Sequence, residues 1–547
     1  MAQRPNENVY FARSPICDAA SSGSGKGLFA NRAFAPGDAI SVIERPLGTS
    51  LDVSRLEDTC SNCFLWTTMP HADHGEALGA RLYVPEDARV DVCTGCRSVR
   101  YCGKKCQTAA WKRGHKYECK VLKSINSMPG RSLPKAVFAI IDMLSRRKNG
   151  LIDDRTWAML CELDGHVDHF RMSEVWSDIE LMATGALHYS GTGNTFDRDF
   201  VISMLGRVLA NSLTIITPSL DPMGIMIDPH LCRINHSCDP NAFIMMDGPQ
   251  VSIRPLREIK KDEEVLISYC DTTLPYARRQ LDLQTRWFFT CKCSKCKLGT
   301  TAPEDEWKTP PKDLAPEWKA KAKEMSGRQA LLDDPANYVG PSADEKHVAV
   351  LQGKAFECHR EAQLQERFPD SLRILKEGMS ICSQTKLWPI HRQPYPSLRD
   401  DCIYALLELQ KYREAFTQSF VRYRYVMPKL QRTSFHPARV TQTWSTAMLA
   451  FYFSQEAPII PGVEMPLVAL MLMRETAGLC EKSHGGKNTF TISVKKKLRE
   501  VESALCAVLG VDDPTIITTE GSEQMDILEE KIPFNDDLDV GLEAIVR

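Results

Sequence analysis

With 547 residues, 43% of them hydrophobic and 25% charged, the chain is too long for a single core and too apolar to be disordered, so two or more globular domains are expected. A formal net charge of -2 makes no global case for nucleic acid as a partner, although basic residues gather between Arg97 and Lys123 and leave direct binding open. No apolar run approaches the roughly 18 residues of a membrane span, and Met1 to Tyr10 lacks a charged-then-apolar leader, so the cysteines are expected as reduced intracellular thiols rather than disulfides.

Near the N-terminus, Gly25-Lys26-Gly27-Leu28-Phe29-Ala30 precedes a Pro36-Gly37 turn and Ile40-Ser41-Val42. The Gly-x-Gly alone marks a turn, and Ile40 and Val42, alternating with smaller residues, read as a short strand. Four pairs of soft ligands follow: Cys60 and Cys63, Cys93 and Cys96, Cys102 and Cys106, His115 and Cys119. Zinc takes thiolate and imidazole in a tetrahedron, and two ligands about two to four residues apart chelate one ion, so four pairs supply two closed, structural sites. His115 and Cys119, four positions apart, share one face if they lie on a helix. Phe64 to Val92 reads as a surface insertion, whose His71 and His74 add nothing to a ligand set already complete.

From Val121 to about Ser190 the pattern turns helical, with Val137, Ile140, Ile141 and Leu144 forming a buried stripe. Met204, Leu205, Val208, Leu209 and Leu213 suggest a further helix with Asn211 near its end, a residue that by itself reads as a cap or a satisfied core group. Two dense blocks come next, Asn235-His236-Ser237-Cys238-Asp239-Pro240-Asn241 and Glu263-Glu264-Val265-Leu266-Ile267-Ser268-Tyr269. In isolation Tyr269 is a buried strand tyrosine. Cys291, Cys293 and Cys296 offer three thiolates to a third zinc that needs a fourth ligand from elsewhere. The scattered cysteines, Cys270 among them, read as buried small hydrophobes.

Beyond Lys297, the Thr- and Pro-containing stretch Gly299 to Pro316 reads as a linker. From Glu317 onward, apolar clusters such as Ile403-Tyr404-Ala405-Leu406-Leu407 and Met448-Leu449-Ala450-Phe451-Tyr452 suit packed helices, with no legible repeat. Glu520 to Asp539 reads as a loosely ordered acidic tail, and Lys495 to Arg499 as a solvated helix face rather than an import signal.

Over roughly residues 20 to 297, the order and spacing of these blocks resemble the SET-and-MYND (SMYD) family of protein-lysine methyltransferases. The resemblance implies an α+β fold: a β-rich SET domain split by a MYND zinc module, with a post-SET zinc cluster and an α-helical C-terminal domain. The implied divisions are 1-59 for the first part of the SET domain, 60-119 for the MYND module, 120-200 for a helical insertion and 201-270 for the SET core. Post-SET residues 271-297, a linker at 298-316 and the helical domain at 317-547, with its acidic tail, complete the chain. It also implies three zinc ions. Cross-bracing would give Cys60, Cys63, Cys102 and Cys106 one ion and Cys93, Cys96, His115 and Cys119 another, while Cys238 completes the set of Cys291, Cys293 and Cys296.

By the same resemblance, S-adenosylmethionine is the cofactor, contacted by Lys26, Gly27, Asn211, Asn235, His236, Tyr269 and Phe289. Trp287 and Phe288 compete with Phe289 for the place against the adenine ring, and Tyr269 is the catalytic residue. Asp262 stands where the family usually has glycine before the paired glutamates, and Asp tolerates a positive φ better than most residues. The implied substrate is a lysine side-chain amine in a histone or non-histone protein. Proline-rich peptides are implied partners of the MYND module, a monomer is expected, and the implied localisation is nuclear and cytoplasmic. The competing reading is a non-catalytic scaffold that recruits partners through that module. The intact Asn-His-Ser-Cys block and Tyr269 favour the enzyme.

Overall fold

The computed structural model describes residues 7–16, 25–67, 88–126, 133–301, 304–305, 345–384, 388–453, 460–510 and 514–532. His71, His74 and most of the 298-316 linker lie outside the described residues.

Short runs bounded by turns build four small sheets among the described residues. In the first, β1 (Val9–Arg13) pairs with β2 (Lys26–Ala30), which pairs antiparallel with β12 (Glu264–Ile267), and β12 lies parallel to the two-residue β9 (Asn235–His236). Every residue of β2 after Lys26 is buried, as expected of a strand covered on both faces. The second sheet joins β3 (Ser41–Ile43), β11 (Gln250–Pro255) and β10 (Ala242–Asp247), the third joins β4 (Gly48–Leu51), β8 (Pro222–Ile227) and β7 (Leu213–Ile216), and the fourth is the antiparallel pair β5 (Asp91–Val92) and β6 (Arg100–Tyr101). Leu28, Ile40, Ile215, Ile234, Ile253, Val265 and Ile267 share one core. Residues far apart in sequence, 25–51 and 213–267, therefore form one body, with the segments between them extruded.

Two expectations shift at element boundaries. Ile40 stops short of β3 but donates its N–H to Ile253 O at 2.9 Å. Leu213 is not helical: the helix Arg198–Asn211 ends at Ser212, and Leu213-Thr214-Ile215-Ile216, rich in β-branched residues, pairs with β8 instead.

The extruded helices pack on a core of their own. Lys135–Lys148 buries Val137, Ile140, Ile141 and Leu144 against Ala183 and Ala186 of Trp176–Ser190 and Val201 and Leu205 of Arg198–Asn211. Asp153 and Asp197 cap their helices by accepting from Thr156 N at 2.9 Å and Phe200 N at 2.7 Å.

From Glu345 onward the described structure is helical, each long helix packing on its neighbours around Trp388, Phe416, Phe420, Phe453 and Phe490. The expected acidic tail is partly replaced by order: Glu520 to Lys531 belongs to the helix Pro514–Lys531, and residues 533–539 lie outside the described residues. Buried Ile517 and Leu528 explain the helix, since they give an otherwise acidic segment an apolar face. This half seats on the sheet-bearing half through Arg254, which donates to Gly37 O at 2.6 Å and Glu481 O at 3.1 Å, and through His484, whose Nε2 meets Pro218 O at 2.9 Å. Among the described residues, no helix is long and apolar enough to cross a membrane.

Candidate functional site

Twelve of the expected ligands gather into three clusters: Cys60, Cys63, Cys102 and Cys106; Cys93, Cys96, His115 and Cys119; Cys238, Cys291, Cys293 and Cys296, the donor atoms of each set lying within 4.8 Å of one another. Observed contacts of 3.6 Å for Cys63 to Cys102, 3.4 Å for Cys102 to Cys106, 3.9 Å for Cys93 to Cys119 and 3.4 Å for Cys238 to Cys296 approach the edge of about 3.8 Å of a tetrahedron with Zn–S near 2.3 Å. The donor sets fit zinc. His115 presents Nε2 to Cys93 at 3.5 Å and its Nδ1 meets Glu118 at 2.9 Å, the carboxylate partner that orients a metal-binding imidazole.

Two local features allow this packing. The helix carrying His115 and Cys119 is not continuous: a π-turn, Trp111–His115, kinks at Gly114 before Lys116–Asn126 begins. At Gly114 a Cβ would lie 2.6 Å from Arg146 Cγ, and at Gly95 it would lie 2.8 Å from Cys119 Sγ, so both positions need a residue without a side chain.

The third cluster lies beside Tyr269. Parallel pairing of β9 with β12 sets Asn235 opposite Leu266 and His236 opposite Ile267, which brings the two sequence blocks together. His236, buried, accepts the Tyr269 N–H on Nδ1 at 2.9 Å and places Nε2 3.2 Å from Cys238 Sγ. Burial drives its pKa down to about 4, so the ring is neutral at physiological pH. The Tyr269 hydroxyl donates to Ile234 O at 2.6 Å. The Tyr269 ring packs between His236 at 5.2 Å and Trp287 at 5.3 Å, with Phe289 edge-on at 6.5 Å.

Of the three competing aromatics, Trp287 and Phe289 face Tyr269, whereas Phe288, at φ +59°, turns away to stack on His169 at 4.8 Å. Lys26 is exposed and lies 3.7 Å from Glu162, and its carbonyl accepts from Asn235 Nδ2 at 3.3 Å. Asn211 sits at the C-terminal end of the helix Arg198–Asn211. Its amide donates to Asp164 O at 2.8 Å and to Arg207 O at 3.0 Å, tying the helix end to the preceding loop. Asp262 adopts φ +65°, the turn that the paired glutamates require.

Several structurally important groups stand outside the expected set. Glu264, buried with its pKa raised by that burial, accepts from Asn235 at 2.7 Å and Ser14 at 2.9 Å. It lies so close under Gly27 that a Cβ there would fall 2.0 Å from Oε1. Asn241 donates to Glu264 O and accepts from Leu266 N, both at 2.8 Å, pinning the two blocks together. Arg279, fully buried, faces the third cluster. Burial lowers its pKa, but nearby Cys238 and Cys296 outweigh that effect and raise it. Four thiolates on one zinc leave a net charge of about -2, which this guanidinium offsets. Asn241 was visible in its block, but a lone Arg279 carries no signal of this kind.

Comparison with known proteins places the geometry. Residues 25–270 match the SET domain model, and two of the three ligand clusters lie inside that stretch. The chain is 33% identical over 258 residues to SET domain and MYND-type zinc finger protein 6 of Schizosaccharomyces pombe, a match covering 47% of this chain and 47% of that protein. It is 28% identical over 316 residues to human histone-lysine N-methyltransferase SMYD3, covering 54% of this chain and 68% of that one, and 28% identical over 309 residues to human N-lysine methyltransferase SMYD2, covering 54% and 67%. The chain is similar to proteins of the SET-and-MYND type. The match spans about half the length of the fission-yeast relative.

Proposed function

We propose that the protein transfers a methyl group from S-adenosylmethionine to a lysine side-chain amine in a protein substrate, histone or non-histone. The observation that carries this reading is the convergence of Tyr269, His236, Asn235 and Phe289 at one place, fixed by the β9 to β12 pairing. The residues present suit the cofactor: Lys26, whose carbonyl accepts from Asn235, carries a half-exposed ammonium 3.7 Å from Glu162, a cation suited to a carboxylate, and Phe289, 5.9 Å from His236, offers an aromatic face for a base. S-adenosylmethionine supplies an electrophilic methyl carbon on a sulfonium.

The chain's own groups must then align the amine, exclude water and leave the amine uncharged. A lysine in water titrates near 10.4 and is a poor nucleophile when protonated. Entry into an apolar passage beside Tyr269 and Trp287 disfavours its charged form. Because the Tyr269 hydroxyl proton goes to Ile234 O, its oxygen presents lone pairs as an acceptor toward a polarised methyl group. His236 holds the Tyr269 backbone and fixes where that oxygen sits.

The test is labelled methyl transfer to histones and to a proteome extract, with Tyr269→Phe alongside the wild type. The variant is expected to lose about 100-fold or more in rate while binding cofactor normally. Equal labelling by both proteins would remove Tyr269 from the chemistry. Cofactor binding without transfer by the wild type would favour the scaffold.

A further inference from the structure

The third cluster contains more thiols than zinc can use. Beside Cys238, Cys291, Cys293 and Cys296, the sulfur of Cys270 lies with Cys238 Sγ and a His236 ring nitrogen inside a second group whose donor atoms are all within 4.8 Å of one another. Cys270 follows Tyr269 directly, its carbonyl accepts from Ser268 Oγ at 2.6 Å, and it is half-buried, whereas Cys238 is buried. A tetrahedral zinc closed by four thiolates has no position for a fifth. Cys270 therefore stands next to a ligand sulfur without being needed to hold the metal, and is the more exposed residue of the two.

We propose that Cys270 is an oxidation site that joins to Cys238 as a disulfide and so releases the third zinc. This inference rests on the third cluster holding zinc, as the donor geometry indicates. The oxidant is hydrogen peroxide. The Cys270 sulfur attacks one peroxide oxygen, the O–O bond breaks, and the sulfur becomes a sulfenic acid while the other oxygen leaves as water. The Cys238 thiolate then attacks the sulfenic sulfur, its bond to zinc breaks as the S–S bond forms, and the departing hydroxide takes a proton from solvent to leave as a second water. Two thiols are oxidised by two electrons, and one peroxide is reduced to two waters. With Cys238 in a disulfide, Cys291, Cys293 and Cys296 keep only three thiolates for the ion, which passes to any competing chelator.

The local wiring gives this step a consequence. Cys238 touches His236, and His236 holds the Tyr269 backbone. Trp287 and Phe289, which pack on Tyr269, lie just before Cys291. Releasing the zinc frees the segment that carries both aromatics, so oxidation opens the wall beside Tyr269. The first and second clusters have no such extra thiol among the described residues.

The experiment treats the full zinc-loaded chain with hydrogen peroxide, follows zinc release with a chromogenic chelator, and maps disulfides by peptide mass without reduction. Wild type, Cys270→Ser and the control Cys161→Ser are compared, with zinc content measured before oxidation. The expected result is early release of one zinc from wild type and control together with a Cys238 to Cys270 disulfide, both reversed by reductant and added zinc. Release from Cys270→Ser should be slower by about fivefold or more. Equal release rates, or a disulfide from Cys238 to Cys291, Cys293 or Cys296, would overturn the proposal. Less zinc in Cys270→Ser before oxidation would overturn it too, by making Cys270 a ligand. A wild type carrying only two zincs at the outset would instead defeat the metal reading beneath it.

Discussion

Between residues 25 and 297 the strands are two to six residues long, and three thiol-rich clusters close the chain on itself, whereas between 345 and 532 helices of up to 21 residues bury large aromatic side chains around a common core. Short strands bury little apolar area each, so the first region depends on polar and metal crosslinks such as Asn241 and the Cys238 cluster. The second region has no metal cluster among its described residues and relies on burial. Chemistry is concentrated where the backbone is held by specific bonds, and the helical body packs against it through a shared apolar core.

The sharpest way to break this contrast is Cys238→Ala. It removes one ligand from the cluster beside His236 and is expected to abolish methyl transfer and lower the zinc content by one ion, while the helical signal of the C-terminal half persists. Metal analysis, labelled methyl transfer and circular dichroism measured together decide it. A fully active variant with unchanged metal content would mean that Cys238 is not a ligand.

The reciprocal change is Phe416→Ala. This ring is fully buried and lies 6.4 Å from Phe420, and truncating such a residue costs about 3–5 kcal/mol. Chemical denaturation should register that loss with the zinc content unchanged. If zinc were lost as well, the helical half would be supporting the metal clusters, and the two regions would not be independent.

How much of each region could be read in advance follows the same division. The ligands and the Asn235 and Glu263 blocks were legible because zinc and cofactor chemistry demand uncommon residue types at fixed spacings. The helical half was legible only as a composition and a set of apolar clusters, since many sequences bury an aromatic such as Phe416 equally well. What escaped was tertiary. The bond from the Asn211 amide to the Asp164 carbonyl, 47 residues away, could not be read from the helix that carries Asn211. Cys270 is indistinguishable from other scattered cysteines until β9 and β12 pair. Glu520 to Lys531 reads as a solvated tail because the buried Ile517 and Leu528 are too few to announce a helix from one side.

The seam between the regions offers the smallest effect and the finest test. His484 stacks on Phe490 at 4.3 Å, donates Nε2–H to Pro218 O, and is held neutral because burial lowers its pKa from 6.5 to about 3. Burial also lowers His436, which lies 6.4 Å from Phe243 on the SET side, to about 4. The unfolded chain binds these protons below pH 6.5 and the folded chain does not, so stability is full above that pH and falls as the pH drops through the window beneath it. From about pH 7.5 to about pH 5.5 each histidine should cost about 1.4 kcal/mol. In His484→Gln the amide can still donate to Pro218 O, so the variant should lose its share of the pH dependence while retaining the contact. Denaturation at the two pH values measures this directly. An unchanged slope would mean that the seam opens before the rest of the protein unfolds, exposing His484 to water early and leaving the helical half to melt on its own.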